Sequence, residues 1–74
     1  MLTYEEAKRI AGGWLADITG CREYADAYEF FNSRSEFSIG GTDSPVFIMK
    51  DSGEILTPAV YYDQPGAGVF VREF

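Results

Sequence analysis

With 74 residues, 46% of them hydrophobic and 16% aromatic, the chain has length for a single domain, residues 1–74, and too much apolar side chain to stay disordered. Twelve acidic against six basic residues give a formal charge of −6, which repels polyphosphate and anionic lipid and so argues against nucleic acid and membrane surfaces as partners. There is no histidine and only one cysteine, Cys21, which removes imidazole-based catalysis, an internal disulfide and Cys/His metal sites.

Thr3-Tyr4-Glu5-Glu6 has the capping-box pattern, so a helix is expected to start at Thr3, with Leu2 stapled onto Ala7 and two acids at the positive end of the dipole. Ala7, Ile10, Ala11, Trp14, Leu15 and Ile18 recur at spacings of three and four, which predicts one apolar stripe running towards a helix stop at Gly20. Gly12 and Gly13 fall inside that stripe, where each costs roughly 1 kcal/mol relative to alanine, so a strand or a second subunit is expected to approach the helix there. A strand is predicted near residues 25–32, with Tyr24, Asp26, Tyr28 and Phe30 on one face and Ala25, Ala27, Glu29 and Phe31 on the other.

Ser33-Arg34-Ser35-Glu36 is expected to turn, Phe37 and Ile39 to pair back briefly, and Gly40-Gly41-Thr42-Asp43-Ser44 to form a loop. Residues 45–50 are apolar and β-branched or aromatic and predict a central strand with Pro45 at its first position. Asp51-Ser52-Gly53 supplies the hairpin turn, residues 54–62 the antiparallel return strand with a bulge at Pro58, residues 63–68 a flexible turn, and residues 69–74 a last strand. The fold class is therefore α+β, an N-terminal helix packed on a four- or five-stranded antiparallel sheet.

The residue types present leave little room for catalysis. Cys21 has no histidine to activate it, and following a helix C-terminus it gains nothing from the dipole. The carboxylate pairs Asp26 with Glu29 and Asp43 with Asp51 remain, but so short a chain hardly encloses a cleft around them and keeps a core. The acids do not follow calcium-loop spacing, and the glycine loop lacks the Gly-Lys-Ser/Thr ending of a phosphate cradle. No catalytic, cofactor-binding or metal-binding residue is assigned, and the chain is not expected to be an enzyme or to carry a cofactor.

Protein contact is the chemistry that remains. Tyr28, Tyr61 and Tyr62 are candidate contact residues because an exposed tyrosine offers a rigid face with a polar tip, and Thr42 and Asp43 because their loop opens a strand. Adjacent tyrosines on a strand must point to opposite faces, so one of Tyr61 and Tyr62 is expected in the core and the other outside. The opening Leu2-Thr3-Tyr4-Glu5-Glu6 lacks the basic start and apolar run of a signal peptide, so the expected location is the cytoplasm.

The stretch Pro45-Val46-Phe47-Ile48-Met49-Lys50-Asp51-Ser52-Gly53-Glu54-Ile55 resembles the small bacterial domains named after YrhB, which are grouped with immunity proteins of polymorphic toxin systems. Those domains similarly begin with a helix opening like Thr3-Tyr4-Glu5-Glu6-Ala7. They continue through an aromatic strand to a Gly-x-x-x-Pro segment, matched by Gly41 and Pro45, and a strand-turn-strand ending in Ser/Thr-Gly-Glu. Residues 58–74 depart from that order. Helix, Tyr-x-Phe strand and Ser-Gly-Glu hairpin are similar also to peptidase-propeptide (PepSY) domains, which are inhibitory and usually exported. The first resemblance implies a toxin-neutralising immunity protein, a binding module that masks a basic toxin domain. The alternative is a structural, self-associating domain, a homodimer formed through the last strand or the Gly12-Gly13 helix face.

Overall fold

Thr3 caps helix α1 (Tyr4–Ala11) in the computed structural model, which describes residues 1–15, 18–32 and 45–74. The Thr3 hydroxyl accepts from the Glu6 N–H at 3.2 Å, and Glu6 Oε1 accepts from the Thr3 N–H at 3.0 Å. The Thr3 N–H and the Thr3 hydroxyl, which donates to the same Oε1 at 3.1 Å, both favour the ionised acid and hold the Glu6 carboxyl below its ordinary value. The helix stops at Gly12, earlier than the apolar stripe suggests. Two successive glycines each oppose helix propagation by about 1 kcal/mol, so they end the helix rather than interrupt it. Ala7, Ala11 and Leu15 are buried as the stripe predicts, but Trp14, in the turn beyond Gly12, stands 60% exposed.

Gly20 is the first residue of a strand and not a helix stop. Strands β1 (Gly20–Tyr24), β2 (Ala27–Phe31), β3 (Val46–Met49), β4 (Ile55–Leu56) and β5 (Phe70–Glu73) form one antiparallel sheet in the order β4-β3-β2-β1-β5. The single strand expected over residues 25–32 is thus the second arm of a hairpin turned at Ala25-Asp26. Gly20 faces Phe31 across that hairpin, and a Cβ on Gly20 would lie 2.5 Å from Phe31 Cζ, so the glycine makes room for the ring. The turn at residues 33–36, the short strand through Phe37 and Ile39, and the loop holding Thr42 and Asp43 lie outside the described residues.

Strand β3 runs inside the sheet as expected, and Gly53, at φ 74°, closes its hairpin with β4. The return strand is only two residues long. Residues 58–62, expected as strand, form helix α2 (Pro58–Tyr62), capped by Thr57, whose hydroxyl accepts from the Val60 N–H at 3.4 Å. Proline in the first helical turn loses no hydrogen bond and has its φ preset for the helix, so Pro58 starts a helix where a bulge was expected. The closing strand is present as β5.

Each face of the sheet carries its own small core. On one face Ala7, Ala11 and Leu15 meet Cys21, Tyr28, Phe30 and Ile48, with Leu2 and Ile10 at the margin. On the other, Tyr61 of α2 joins Tyr24, Ala27, Phe47 and Leu56, its ring stacked on Phe47 at 4.1 Å and 9°. Covering both faces explains why the strands lack a polar side.

Candidate functional site

Among the described residues, strand β5 ends the sheet and pairs on one side only, with β1. Phe70 faces Tyr24, Arg72 faces Glu23 and Glu73 faces Arg22, and the register shift between the first two pairs leaves Val71 as the extra residue of a bulge. Val69, Phe70, Val71 and Phe74 are all about half exposed, Phe70 at 56%. The Phe70 ring meets Tyr24 edge-on at 6.1 Å, and Phe74 stacks on Tyr4 of α1 at 4.3 Å.

Helix α2 brings Tyr62 to the same face. Tyr62 is 54% exposed, its hydroxyl oxygen lies 3.5 Å from that of Tyr24, and its ring borders Gly68, where a Cβ would sit 3.5 Å from Cε1. Tyr62 and Phe70 therefore flank Tyr24, with Val69 between them in the chain, and make an apolar surface continuous with the β5 edge. Because α2 is a single short helix, it turns Tyr61 onto the sheet and leaves Tyr62 in solvent.

Beneath this surface the polar groups are occupied by one another. Glu29 Oε1 accepts from the Tyr24 hydroxyl at 3.2 Å and from Arg22 Nη1 at 3.3 Å, while Arg22 Nε donates to Glu73 at 3.2 Å. Burial first, then hydrogen bonding to Tyr62, pushes the Tyr24 hydroxyl well above its ordinary pKa. Burial and Asp26 push the Tyr61 hydroxyl up to about 12, and it donates to Asp26 Oδ1 at 2.6 Å while accepting from the Gly68 N–H at 3.0 Å. Asp26 and Glu29 thus serve different tyrosines and do not act as a pair.

On the opposite face Glu23 accepts from Lys50 Nζ at 2.5 Å and Arg72 Nε at 2.8 Å, and these two bonds hold its carboxyl below the usual range. Lys50 also lies over the Tyr28 ring at 5.0 Å. Among the described residues both buried carboxylates, Glu23 and Glu29, one per face, are therefore tied to cations of the fold itself. Among the described residues no group of three or more Cys, Asp and Glu side chains could hold a metal ion, and no helix is long and apolar enough to cross a membrane.

Cys21 lies inside β1 and not after a helix, and burial pushes its thiol up to about 12. At mildly alkaline pH a thiol reagent is expected to label native Cys21 about a hundredfold or more slower than the urea-unfolded chain, because both thiolate fraction and access are lost. Equal rates would show that β1 opens freely.

The expected contact residues divide sharply. Tyr62 is exposed. Tyr61 is fully buried under α2, and Tyr28, on the central strand β2, is buried under α1, so neither offers a surface to a partner. Thr42 and Asp43 lie outside the described residues. One of the paired tyrosines is inside and one outside, as expected, although a helix rather than a strand separates them. Phe70, Val69 and Val71 escape sequence reasoning because nothing in an apolar strand pattern says that the strand lies at an edge. Compared with known proteins, the chain matches no family model, no curated protein and no solved structure.

Proposed function

We propose that the chain is a non-catalytic protein-binding module that masks a basic protein partner with the surface formed by Tyr62, Phe70 and the β5 edge. The observation that carries this reading is the run of half-exposed apolar residues along an edge strand, continuous with an exposed tyrosine, on so small a domain. A charge of −6 adds long-range attraction for a basic partner, which raises association rate more than affinity. The resemblance to YrhB-like domains suggests the class of that partner, a toxin domain, and with it a cytoplasmic immunity role.

The test is binding to a basic toxin domain, which this reading expects to be encoded beside this chain, and the absence of such a gene there would remove the toxin assignment. Tyr62→Ala and Phe70→Ala are each expected to weaken binding by about 2 kcal/mol, roughly thirtyfold, and association is expected to slow as salt is raised. Unchanged affinity in both variants would sink the assignment of the surface. The exposed β5 edge also favours self-association, and a stable dimer in sedimentation, with no binding to the toxin domain, would establish that reading instead.

A further inference from the structure

We propose that β5 receives an extended, basic and apolar segment of the partner as a sixth strand of the sheet, by backbone pairing along its outer edge. This rests on the protein-binding reading and specifies how the partner is held. The sheet has two edges, and they are not equivalent. Strand β4 is two residues long and runs straight into the cap of α2, which leaves no length for an added strand. Strand β5 has four residues and, among the described residues, no strand beyond it.

Natural edges are commonly guarded by charges and bulges. Here the two charged residues of β5 are turned to their own sheet, Arg72 to Glu23 at 2.8 Å and Glu73 to Arg22 at 3.2 Å. Each is paired with a β1 side chain while staying more than half exposed, and beside them the edge presents half-exposed Val69, Phe70, Val71 and Phe74. The bulge at Val71 twists the strand without shortening it and sets Phe70 on the Tyr62 side, where it can receive an apolar side chain of the incoming strand.

Charge and area choose the occupant. A second copy would pair β5 with itself about a two-fold axis, which sets one residue, Arg72 or Val71, against its own image and brings together two chains of −6. A standard interface buries about 800 Å² on each side, a large share of this domain's 4677 Å², and four strand residues do not supply it. A foreign segment that pairs with β5 and continues over Phe70 and Tyr62 does better. The arginines nearby are engaged by Glu23, Glu29 and Glu73, whereas among the described residues no cation pairs with Asp26, beneath α2, or with exposed Asp63 at its end. The surroundings of the edge therefore select basic side chains.

The probe is an end-capped peptide of alternating Lys and Val, added at millimolar concentration to the isotope-labelled protein. Amide shift changes and slowed amide exchange are expected in residues 69–74 and at Tyr62. The same peptide N-methylated on every residue keeps every side chain but has no N–H to give on either edge, and it is expected to bind about tenfold or more weakly. A Glu/Val peptide is expected not to bind. Equal binding of the N-methylated peptide, slowed exchange confined to other strands, or no binding of the Lys/Val peptide overturns strand addition. So does exchange already slow in residues 69–74 of a dimer formed without peptide. Because the peptide rather than the protein is altered, misfolding does not confuse the result. A toxin domain that still requires Tyr62 and Phe70, alongside equal binding of the N-methylated peptide, would leave the protein-binding reading standing and remove only the strand addition.

Discussion

Replacing Glu23 with alanine is expected to destabilise the fold by about 3 kcal/mol or more, since removing one member of a buried ion pair strands the other. The Lys50 side chain is 10% exposed and cannot carry its ammonium into water without leaving the Tyr28 ring, whereas Arg72, 65% exposed, simply turns outward. A domain of this length has roughly 4–11 kcal/mol of stability, so the variant should show a much lower urea midpoint. Removing both buried charges at once, as Glu23→Leu with Lys50→Met, is expected to restore most of the loss or exceed the parent. Arg72→Ala should cost under about 1 kcal/mol. If Glu23→Ala lay within that last figure, the buried pair would be a bystander.

The pH dependence follows from the direction of the shift. The folded carboxyl titrates below its ordinary value of 4.5, because Lys50 and then Arg72 bind the ionised form. The unfolded chain takes up the proton first as pH falls. The stability carried by Glu23 is therefore complete above about pH 4.5 and is lost as pH drops through the folded value. Urea titrations of the parent and Glu23→Gln should converge below that pH and separate above it, and a gap that stayed constant would contradict the cause assigned here.

Phe47→Ala is the second large effect, at about 3–5 kcal/mol. Phe47 is fully buried, stacks on Tyr61, and touches Tyr24 at 5.9 Å and Tyr62 edge-on at 5.5 Å between ring centres. Among the described residues the α2-side core has five buried members, so little is at hand to refill the space. Helix α2 is expected to detach, seen as loss of the ring-current shifts of Tyr61 and Tyr62 along with the lower midpoint. Trp14→Ala removes a larger side chain at an exposed site and should change stability by less than about 0.5 kcal/mol. A comparable loss in both variants would mean that exposure is a poor guide to energy in this fold.

These energies mark where the sequence was legible. The capping box, the β3 strand, the Asp51-Ser52-Gly53 turn and the last strand are all local signals, set by hydrogen bonds or φ angles within a few residues, and each appears where it was expected. The failures are non-local. Gly20 fits a helix stop until Phe31 is placed across the hairpin, and the apolar stripe says nothing of where Gly12 ends it. Thr57-Pro58 fits a bulged strand or a helix start, and the stacking of Tyr61 on Phe47 favours the helix. Of the candidate surface, Tyr62 was visible because neighbouring tyrosines had to separate. Tyr28 misled because a sheet covered on both sides buries both of its alternating faces, and Phe70 stayed hidden because edge position belongs to topology.

The pairing of β5 with β1 joins Arg22 and Glu73, 51 positions apart in the chain. The β1–β2 hairpin, closed by Ala25-Asp26, can zip on roughly the 1–10 μs time scale of local hairpins, while so distant a strand must wait for a large loop to close. Pairing of β5 is therefore expected to follow closure of the β1–β2 hairpin, and until it forms the outer edge of β1 is unpaired. Arg22 and Glu23, still without Glu73 and Arg72, would line that edge with opposite charges and discourage clumping until the tail arrives.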